Sequence, residues 1–400
     1  MKLPQVLSPP VLRTTEGAEE KRSASWLELF FDLVFVVAIA QLAVALSDDL
    51  SAGGFLRFTL LFVPVWWSWA GYTNYADRFD TDDPVFRVMM LAGMLGIAAL
   101  AVNVPEAFAG GSGAFAASYV AVRVVLILLY ERARRNVPAA RALITVTMAV
   151  FVVGVALWVI SLVVPEPWRF GFWAFALLIE GATPWVARRA MASVPMHASH
   201  LPERYGLFTI IVLGESLVAV VVGISGTDWQ LTSAVVAAVG FLAAACLWWV
   251  YFDFIELADI RRGLLARNVF IYGHLLVAIG LTGTGVGIKK AILYAGEPYL
   301  PVGGYWALCG GTALFLAGIC LIYVVSTRTM RDRVMIARGA ATVVALSLAF
   351  IGPAVTPSVL VCLLLLVLIS LVVFETIEKA AQATPKSTST IEPETTKPDS

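Results

Sequence analysis

Long apolar runs alternate with short polar loops along almost the whole chain. Runs of about 18 or more mainly apolar residues are typical of membrane-spanning helices, and reading them so predicts about twelve spans. The predicted spans are 28–46, 55–75, 86–106, 113–130, 142–163, 169–187, 206–224, 233–256, 268–288, 303–325, 335–352 and 357–376. The pattern therefore predicts an all-α, polytopic integral membrane protein.

Composition supports this interpretation. Of the 400 residues, 60% are hydrophobic and only 14% are charged, whereas a soluble protein is nearer half apolar and a quarter charged. The formal net charge is zero, so nothing indicates a nucleic-acid partner. The partner that the composition does imply is the lipid bilayer.

The distribution of basic residues predicts the orientation. If the N-terminus lies inside, most of the 28 Lys and Arg residues fall in alternate, cytoplasmic loops, as the positive-inside rule requires. This bias favours an even number of spans in the plasma (inner) membrane, with both termini cytoplasmic. Only 352–357 separates the last two runs, so a re-entrant hairpin over 335–376 is an alternative to two spans there.

The chain is predicted to have four parts. Residues 1–25 lack the apolar segment of a cleaved signal peptide and are interpreted as a mobile cytoplasmic leader. Residues 26–195 and 196–379 form two transmembrane halves. Residues 380–400 are rich in Ser, Thr, Pro and charge without aromatics, which is typical of a disordered tail.

The two halves show signs of duplication. Trp67 is followed ten residues later by Asp77, and Trp249 is followed ten residues later by Asp259. Six spans in each half would give both halves the same orientation, so the repeats would be parallel. At this register Asn103–Glu106 falls opposite the run Gly283–Gly287. Paired helix interruptions would indicate a transporter binding site; glycines that only pack helices together are the alternative.

Asp32 is an ionisable residue inside the first apolar run. An ionised group in hydrocarbon costs several kcal/mol unless it is paired or hydrated. Asp32 therefore either has a partner inside the bundle or lines a polar path. Gln41 lies on the opposite side of the same predicted helix, which predicts a helix surrounded by protein rather than lipid.

Glu215 is another carboxylate inside an apolar run. At 1.5 Å per residue it lies about 14 Å from Gly206, near the bilayer midplane. A carboxylate at that depth can exchange a proton or bind a cation, and Gly214 would let another backbone approach. The alternative is a protonated Glu held in a structural hydrogen bond.

Two further residues complete the central set. His274 could pair with Glu215 or Asp32 as a proton relay, or be a packed neutral His bonded to a backbone carbonyl. Arg123 lies well inside a span and stays charged, so it needs a carboxylate partner or an anionic ligand. Its candidate partners are Asp32, Glu180, Glu215 and Asp253.

Asp253 shares a helix stripe with Trp249 and Glu256, and Glu180 precedes a kink expected at Pro184. The predicted intramembrane polar path consists of Asp32, Arg123, Glu180, Glu215, Asp253 and His274.

Other chemistry has little support in the sequence. His197 and His200 form an HxxH pair without a third ligand, and the four cysteines form no CxxC pair. We therefore expect neither a metal nor a cofactor. The sequence contains no phosphate-binding loop, no HExxH and no GxSxG with a partner His, so no catalytic residue is assigned.

Four segments carry a family resemblance: ELFFDLVFVVAIAQL at 28–42, the WW…YADR block at 66–78, RYGLFTIIVLGES at 204–216 and YGHLLVAIGL at 272–281. They resemble the bacterial low temperature requirement A (LtrA) family over about residues 24–380. The family name implies a role in growth in the cold, but neither a reaction nor a substrate. The residues inside the signature stretches are Glu28, Asp32, Gln41, Gly214, Glu215, Ser216 and His274.

Three functions stay open at this point. The repeat and the midplane carboxylate favour a proton- or ion-coupled secondary transporter for an unidentified small solute or ion. A membrane-embedded, lipid-handling enzyme or factor for cold adaptation is the first alternative. A non-catalytic membrane sensor is the second. The sequence predicts no oligomeric state.

Overall fold

A computed structural model describes residues 9–12, 25–192, 194, 200–257, 263–327 and 333–383 of the chain. Apart from two short strands, β1 (Val11–Leu12) and β2 (Phe79–Asp80), the described regular structure is helical. The helices are α1 Trp26–Asp48, α2 Ala52–Arg78, α3 Pro84–Val102, α4 Ser112–Asn136, α5 Arg141–Ser161, α6 Trp168–Gly181, α7 Thr183–Val186, α8 Arg188–Ala192, α9 His200–Ser225, α10 Leu231–Leu257, α11 Leu264–Leu293, α12 Gly311–Thr327, α13 Arg333–Ile351 and α14 Pro357–Ala383.

Ten helices within the described residues are long and apolar enough to cross a membrane. The predicted spans at α2 and α6 do not belong to this group. Helix α2 has the length but ends in polar residues, among them Asn74 and the buried Asp77 and Arg78, whereas α6 covers only 14 residues. Both α13 and α14 reach spanning length, which favours two spans over a re-entrant hairpin.

Local sequence explains how α1 begins. The Ser25 hydroxyl accepts a hydrogen bond from the Glu28 amide at 3.3 Å, and the Glu28 carboxylate accepts one from the Ser25 amide at 2.8 Å. This capping box satisfies amides that the first helical turn leaves without partners. The prediction that protein surrounds α1 on all sides is wrong, because Leu33 and Val37 are exposed on one face. That face is apolar and suits lipid.

The glycines of α11 pack helices together rather than interrupting the helix. Helix α11 is continuous through Gly283–Gly287. A Cβ on Gly280 would lie 2.5 Å from the Phe315 nitrogen, and one on Gly287 would lie 2.3 Å from the Leu308 nitrogen. Only glycine allows α12 and the π-helical turn before it, Trp306–Gly310, to approach this closely. Asn103 instead caps the end of α3, so the two segments are not matched helix interruptions.

The ends of the described structure modify the predicted leader and tail. Val11 pairs with Asp80 and Leu12 with Phe79 in an antiparallel ladder, so this part of the predicted mobile leader is attached to the end of α2. Helix α14 continues to Ala383, beyond the predicted start of the tail. The rest of the leader, at 1–8 and 13–24, and the tail from 384 lie outside the described residues.

Two of the four cysteines are core residues and two are not. Cys309 and Cys320 are buried, but Cys246 is only partly buried and Cys362 is exposed. All four are free thiols. An exposed Cys362 on the apolar helix α14 faces the region expected to hold lipid.

Candidate functional site

Asp32 has a cation as its partner. Arg204, in the first turns of α9, donates to its Oδ1 at 2.7 Å, and the indole Nε1 of Trp69 in α2 donates to the same oxygen at 2.8 Å. A second carboxylate, Glu28, lies 3.3 Å from the Arg204 guanidinium. The Asp32 side chain is 2% exposed and that of Arg204 is 8% exposed. This charge cluster joins the first helix of each predicted half.

A row of aromatic side chains connects this charge cluster with His274. The Tyr205 ring, next to Arg204, lies 4.7 Å from Trp69 and 4.9 Å from His274 between centroids. The Tyr205 hydroxyl is buried and has no hydrogen-bond partner among the described residues. Through these rings, Asp32 and His274 lie in the same region of the helix bundle, without a direct contact between them.

His274 is a packed histidine, not the partner of a carboxylate. Its Nε2 is 2.9 Å from the Tyr251 hydroxyl and its Nδ1 is 2.7 Å from the Phe270 carbonyl oxygen. The structure therefore agrees with the second alternative, a packed His bonded to a backbone carbonyl, rather than with a pair to Glu215 or Asp32. Because a backbone carbonyl only accepts, Nδ1 carries the proton and Nε2 accepts from Tyr251.

Arg123 pairs with Glu180, one of its four candidate partners. The guanidinium Nη2 is 3.0 Å from Glu180 Oε2, and both side chains are fully buried. The Tyr119 hydroxyl donates to the same carboxylate at 2.6 Å, and the Arg123 guanidinium lies 4.2 Å from the Phe151 ring centre. Glu180 lies near the end of α6, where the helix breaks before α7 and Pro184, as predicted. The arrangement is that of a static pair.

Glu215 contrasts with these residues. It lies past the middle of α9 and is half-buried, and no hydrogen bond or ion pair reaches its carboxylate from the part of the chain that the structure describes. Lys289 of α11 is the cation that acts on it electrostatically. A Cβ added to Gly214 would meet nothing within 4 Å, so the space beside Glu215 is open. The neighbouring Ser216 hydroxyl is buried and has no hydrogen-bond partner in the described structure.

The remaining predicted site residues lie elsewhere. Asp253 is near the surface, where Trp249 donates to it at 3.0 Å and Lys379 lies 3.2 Å away. The side chain of Glu256, and those of His197 and His200, are outside what the structure describes. Gln41 is half-buried on α1. The six residues of the predicted polar path therefore do not converge on one cavity.

Sequence reasoning missed the buried charges of Arg338, Glu375 and Arg204. Arg338 of α13 and Glu375 of α14 form a bidentate pair at 2.6 and 2.7 Å, with side chains only 3% and 7% exposed. Arg338 falls within the predicted span 335–352, and Arg204 lies two residues before the predicted span 206–224. In both cases the sequence signal was an Arg within one or two turns of the start of a predicted span. That span, or one packed against it, also contained a carboxylate.

These features define a multi-pass, all-helical membrane protein whose interior contains several buried charge pairs. The chain belongs to the bacterial low temperature requirement A protein (LtrA) family, whose model matches residues 23–373. An uncharacterized protein of Rhizobium meliloti (strain 1021) is 32% identical over 337 residues, which cover 78% of this chain and 80% of that protein. The resemblance drawn from the sequence motifs is confirmed.

Proposed function

We propose that the chain is a proton- or ion-coupled secondary transporter of the plasma membrane, in which Glu215 exchanges a proton or a cation. The observation that carries the proposal is the state of its carboxylate. Asp32, Arg123 and Glu180 are held in ion pairs, whereas Glu215 is half-buried beside open space without such a pair in the described structure. A group that must bind and release an ion needs this freedom.

The order of helix contacts supports the predicted two-half architecture. Helix α1 packs on α2 and α3, and α9 packs on α10 and α11. Helices α3 and α4 pair as α11 and α12 do, and α5 and α6 pair as α13 and α14 do. This order supports our proposal that the chain is built as two parallel repeats, divided near residue 195.

Flux into proteoliposomes tests the proposal. Vesicles loaded with the pH-sensitive dye pyranine would receive the full-length chain, and an imposed Na⁺ or K⁺ gradient would drive proton movement. The wild type should change the internal pH faster than protein-free vesicles for at least one cation. Glu215→Gln should abolish the difference, because the amide cannot exchange a proton.

Glu106→Gln is the matched control, since Glu106 is exposed in the turn after α3. It should retain the wild-type flux. Equal flux in Glu215→Gln and the wild type would remove the role given to Glu215. No flux above protein-free vesicles with the wild type would remove the proposed proton coupling.

A further inference from the structure

Two adjacent lysines, Lys289 and Lys290, lie near the C-terminal end of the apolar helix α11. Both side chains are half-buried, and neither has an ion pair with a residue that the structure describes. Lys290 interacts electrostatically with Asp48, at the end of α1, whereas Lys289 acts on Glu215 of α9. A charged side chain inside a membrane is costly and is usually functional, so the two lysines and their different acidic neighbours indicate different roles.

The packing of α11 against α9 places Lys289 on the face that contacts α9. A Cβ on Gly285 would lie 2.9 Å from the Ser216 Oγ, and one on Gly223 would lie 3.2 Å from the Ile292 Cβ. Gly285, Lys289 and Ile292 are four and then three residues apart, and residues at this spacing share one face of a helix. Lys289 therefore lies between the two points where α11 contacts α9.

Glu215 is within reach of the Lys289 ammonium group. Both contacts between α9 and α11 join residues 69 positions apart, so the helices run in parallel and Lys289 is level with position 220. Glu215 is five residues earlier, about 7–8 Å along the helix axis. The flexible four-carbon stem of lysine and the Glu side chain can together cover such a distance. The two opposite charges are therefore separate in the structure but can meet by side-chain rotation.

Other charged and titratable groups of the helices packed on α9 lie far from Glu215 along the bundle. Asp32 pairs with Arg204, eleven residues before Glu215 and about 16 Å away along α9. His274 lies at a similar level, because its ring contacts that of the residue after Arg204. Asp253 lies in the last turns of α10, which pack near the start of α9. Among the described residues, the cation facing Glu215 is therefore the one on α11.

We propose that Lys289 is a built-in counter-charge for Glu215, and that the coupling ion, a proton or a monovalent metal cation, displaces it. This inference rests on the proposed transport role of Glu215. In the ion-free state the ammonium approaches the carboxylate and neutralises a charge that is costly in the membrane. When the ion binds, the ammonium moves back towards the end of α11, as long basic side chains near helix ends do. One positive charge replaces another, so the coupling ion carries a single charge.

Carbodiimide cross-linking tests whether the two side chains meet. Dicyclohexylcarbodiimide enters the membrane and activates carboxyl groups, and an activated carboxyl forms an amide only with an amine that reaches it. The full-length wild type in proteoliposomes should give a Glu215–Lys289 cross-link, identified by mass spectrometry. Lys290→Met is the matched control and should give the same cross-link, since Lys290 acts on Asp48 instead. Lys289→Met should give no cross-link from Glu215.

The pH dependence of proton flux tests the displacement. In pyranine-loaded proteoliposomes the wild-type flux should fall at alkaline pH, where Glu215 no longer binds a proton. Lys289→Met removes the competing cation, so the pH of half-maximal flux should rise by about one unit, as the loss of a nearby opposite charge implies. Lys289→Arg keeps the charge and should restore the wild-type value. Lys290→Met should leave that value unchanged.

The two measurements separate this inference from the transport proposal. No flux with the wild type would contradict transport and, with it, the displacement, whereas a cross-link formed in the same vesicles would still support the counter-charge. Flux without a Glu215–Lys289 cross-link, in protein whose Glu215 has been labelled by the carbodiimide, overturns the inference. A pH dependence that is the same in Lys289→Met and Lys290→Met also overturns it.

Discussion

Asp32 and Glu215 are carboxylates on the first helix of each predicted half, α1 and α9. Asp32 is almost fully buried and shares the cation Arg204 with Glu28. Glu215 is half-buried, next to a glycine with open space around it. Both residues look alike in sequence, as single acidic residues inside apolar runs, yet their surroundings differ completely.

The difference shows what a membrane-depth carboxylate needs. Burying an ion is tolerable only where a well-placed opposite charge and hydrogen bonds replace water. Asp32 has both, from Arg204 and Trp69. It is therefore a structural connection between α1, α2 and α9. Glu215 has no ion pair or hydrogen bond among the described residues, and Lys289 acts on it only through its electrostatic field. This makes Glu215 the better candidate for a group that changes its ligand.

Removing Arg204, the cation that pairs with Asp32, should have the largest effect on the free energy of unfolding. In Arg204→Gln two carboxylates, Asp32 and Glu28, lose their shared partner. We expect a loss of about 3–5 kcal/mol in the free energy of unfolding, the usual cost of breaking a buried pair from one side. Unfolding in mixed SDS and neutral-detergent micelles, followed by tryptophan fluorescence, measures it.

The exposed pair Arg87–Asp82 is the matched control for this change. Its atoms are 2.9 Å apart and both side chains are 58% exposed. Arg87→Gln should change the free energy of unfolding by less than about 1 kcal/mol. The double variant Asp32→Asn with Arg204→Gln should recover part of the loss. Equal effects of Arg204→Gln and Arg87→Gln would contradict a structural role for the Asp32 cluster.

The second-largest effect on the free energy of unfolding is expected where α9 packs against α11, next to Glu215. A Cβ on Gly285 would lie 2.9 Å from the Ser216 Oγ and 3.1 Å from its Cα. Helices α9 and α11 would have to separate slightly, so Gly285→Ala should destabilise the protein by about 1–2 kcal/mol, as overpacked cores do. The same unfolding measurement applies.

Gly214→Ala is the matched control on the open side of α9. Nothing lies within 4 Å of the added methyl group, and alanine favours a helix over glycine by up to about 1 kcal/mol. This variant should be neutral or slightly stabilising. A loss as large as that of Gly285→Ala would mean that the space beside Glu215 is filled.

The sequence predicted the class of fold from physics that acts locally. Length and hydropathy identify α1, α9 and α14 because lipid imposes both on a lipid-facing helix. Helix α2 is less clear by the same measures, since its polar end, with Asp77 and Arg78, is buried in protein. A hydropathy pattern reflects what surrounds a helix. The polar end of α2 is surrounded by other helices rather than by lipid.

The partners of the buried charges could be predicted only in part. That Arg123 needs a carboxylate follows from its permanent charge, but the choice of Glu180 depends on how α4 packs against α6. Arg204 was missed because it precedes the apolar run and so was not expected to lie in the helix. In the structure α9 begins before it, at His200. Such contacts join residues far apart in the chain, where spacing carries no information.

The smallest expected effect on stability is that of Glu215→Gln. With no ion pair or hydrogen bond in the described structure to lose, the isosteric amide should change the free energy of unfolding by less than about 0.5 kcal/mol, as a substitution away from any specific interaction does. Asp32→Asn is the matched comparison. Asp32→Asn weakens the ion pair with Arg204, so it should lower the free energy of unfolding several times more than Glu215→Gln does.

Measured together, these two isosteric variants decide whether the contrast between the carboxylates is real. A small effect of Glu215→Gln on stability combined with lost proton flux would separate function from folding at this residue. If instead Glu215→Gln destabilises the protein as much as Asp32→Asn, Glu215 has a structural partner of its own. Both carboxylates would then hold the helices together, and the transport role would have to rest on another group.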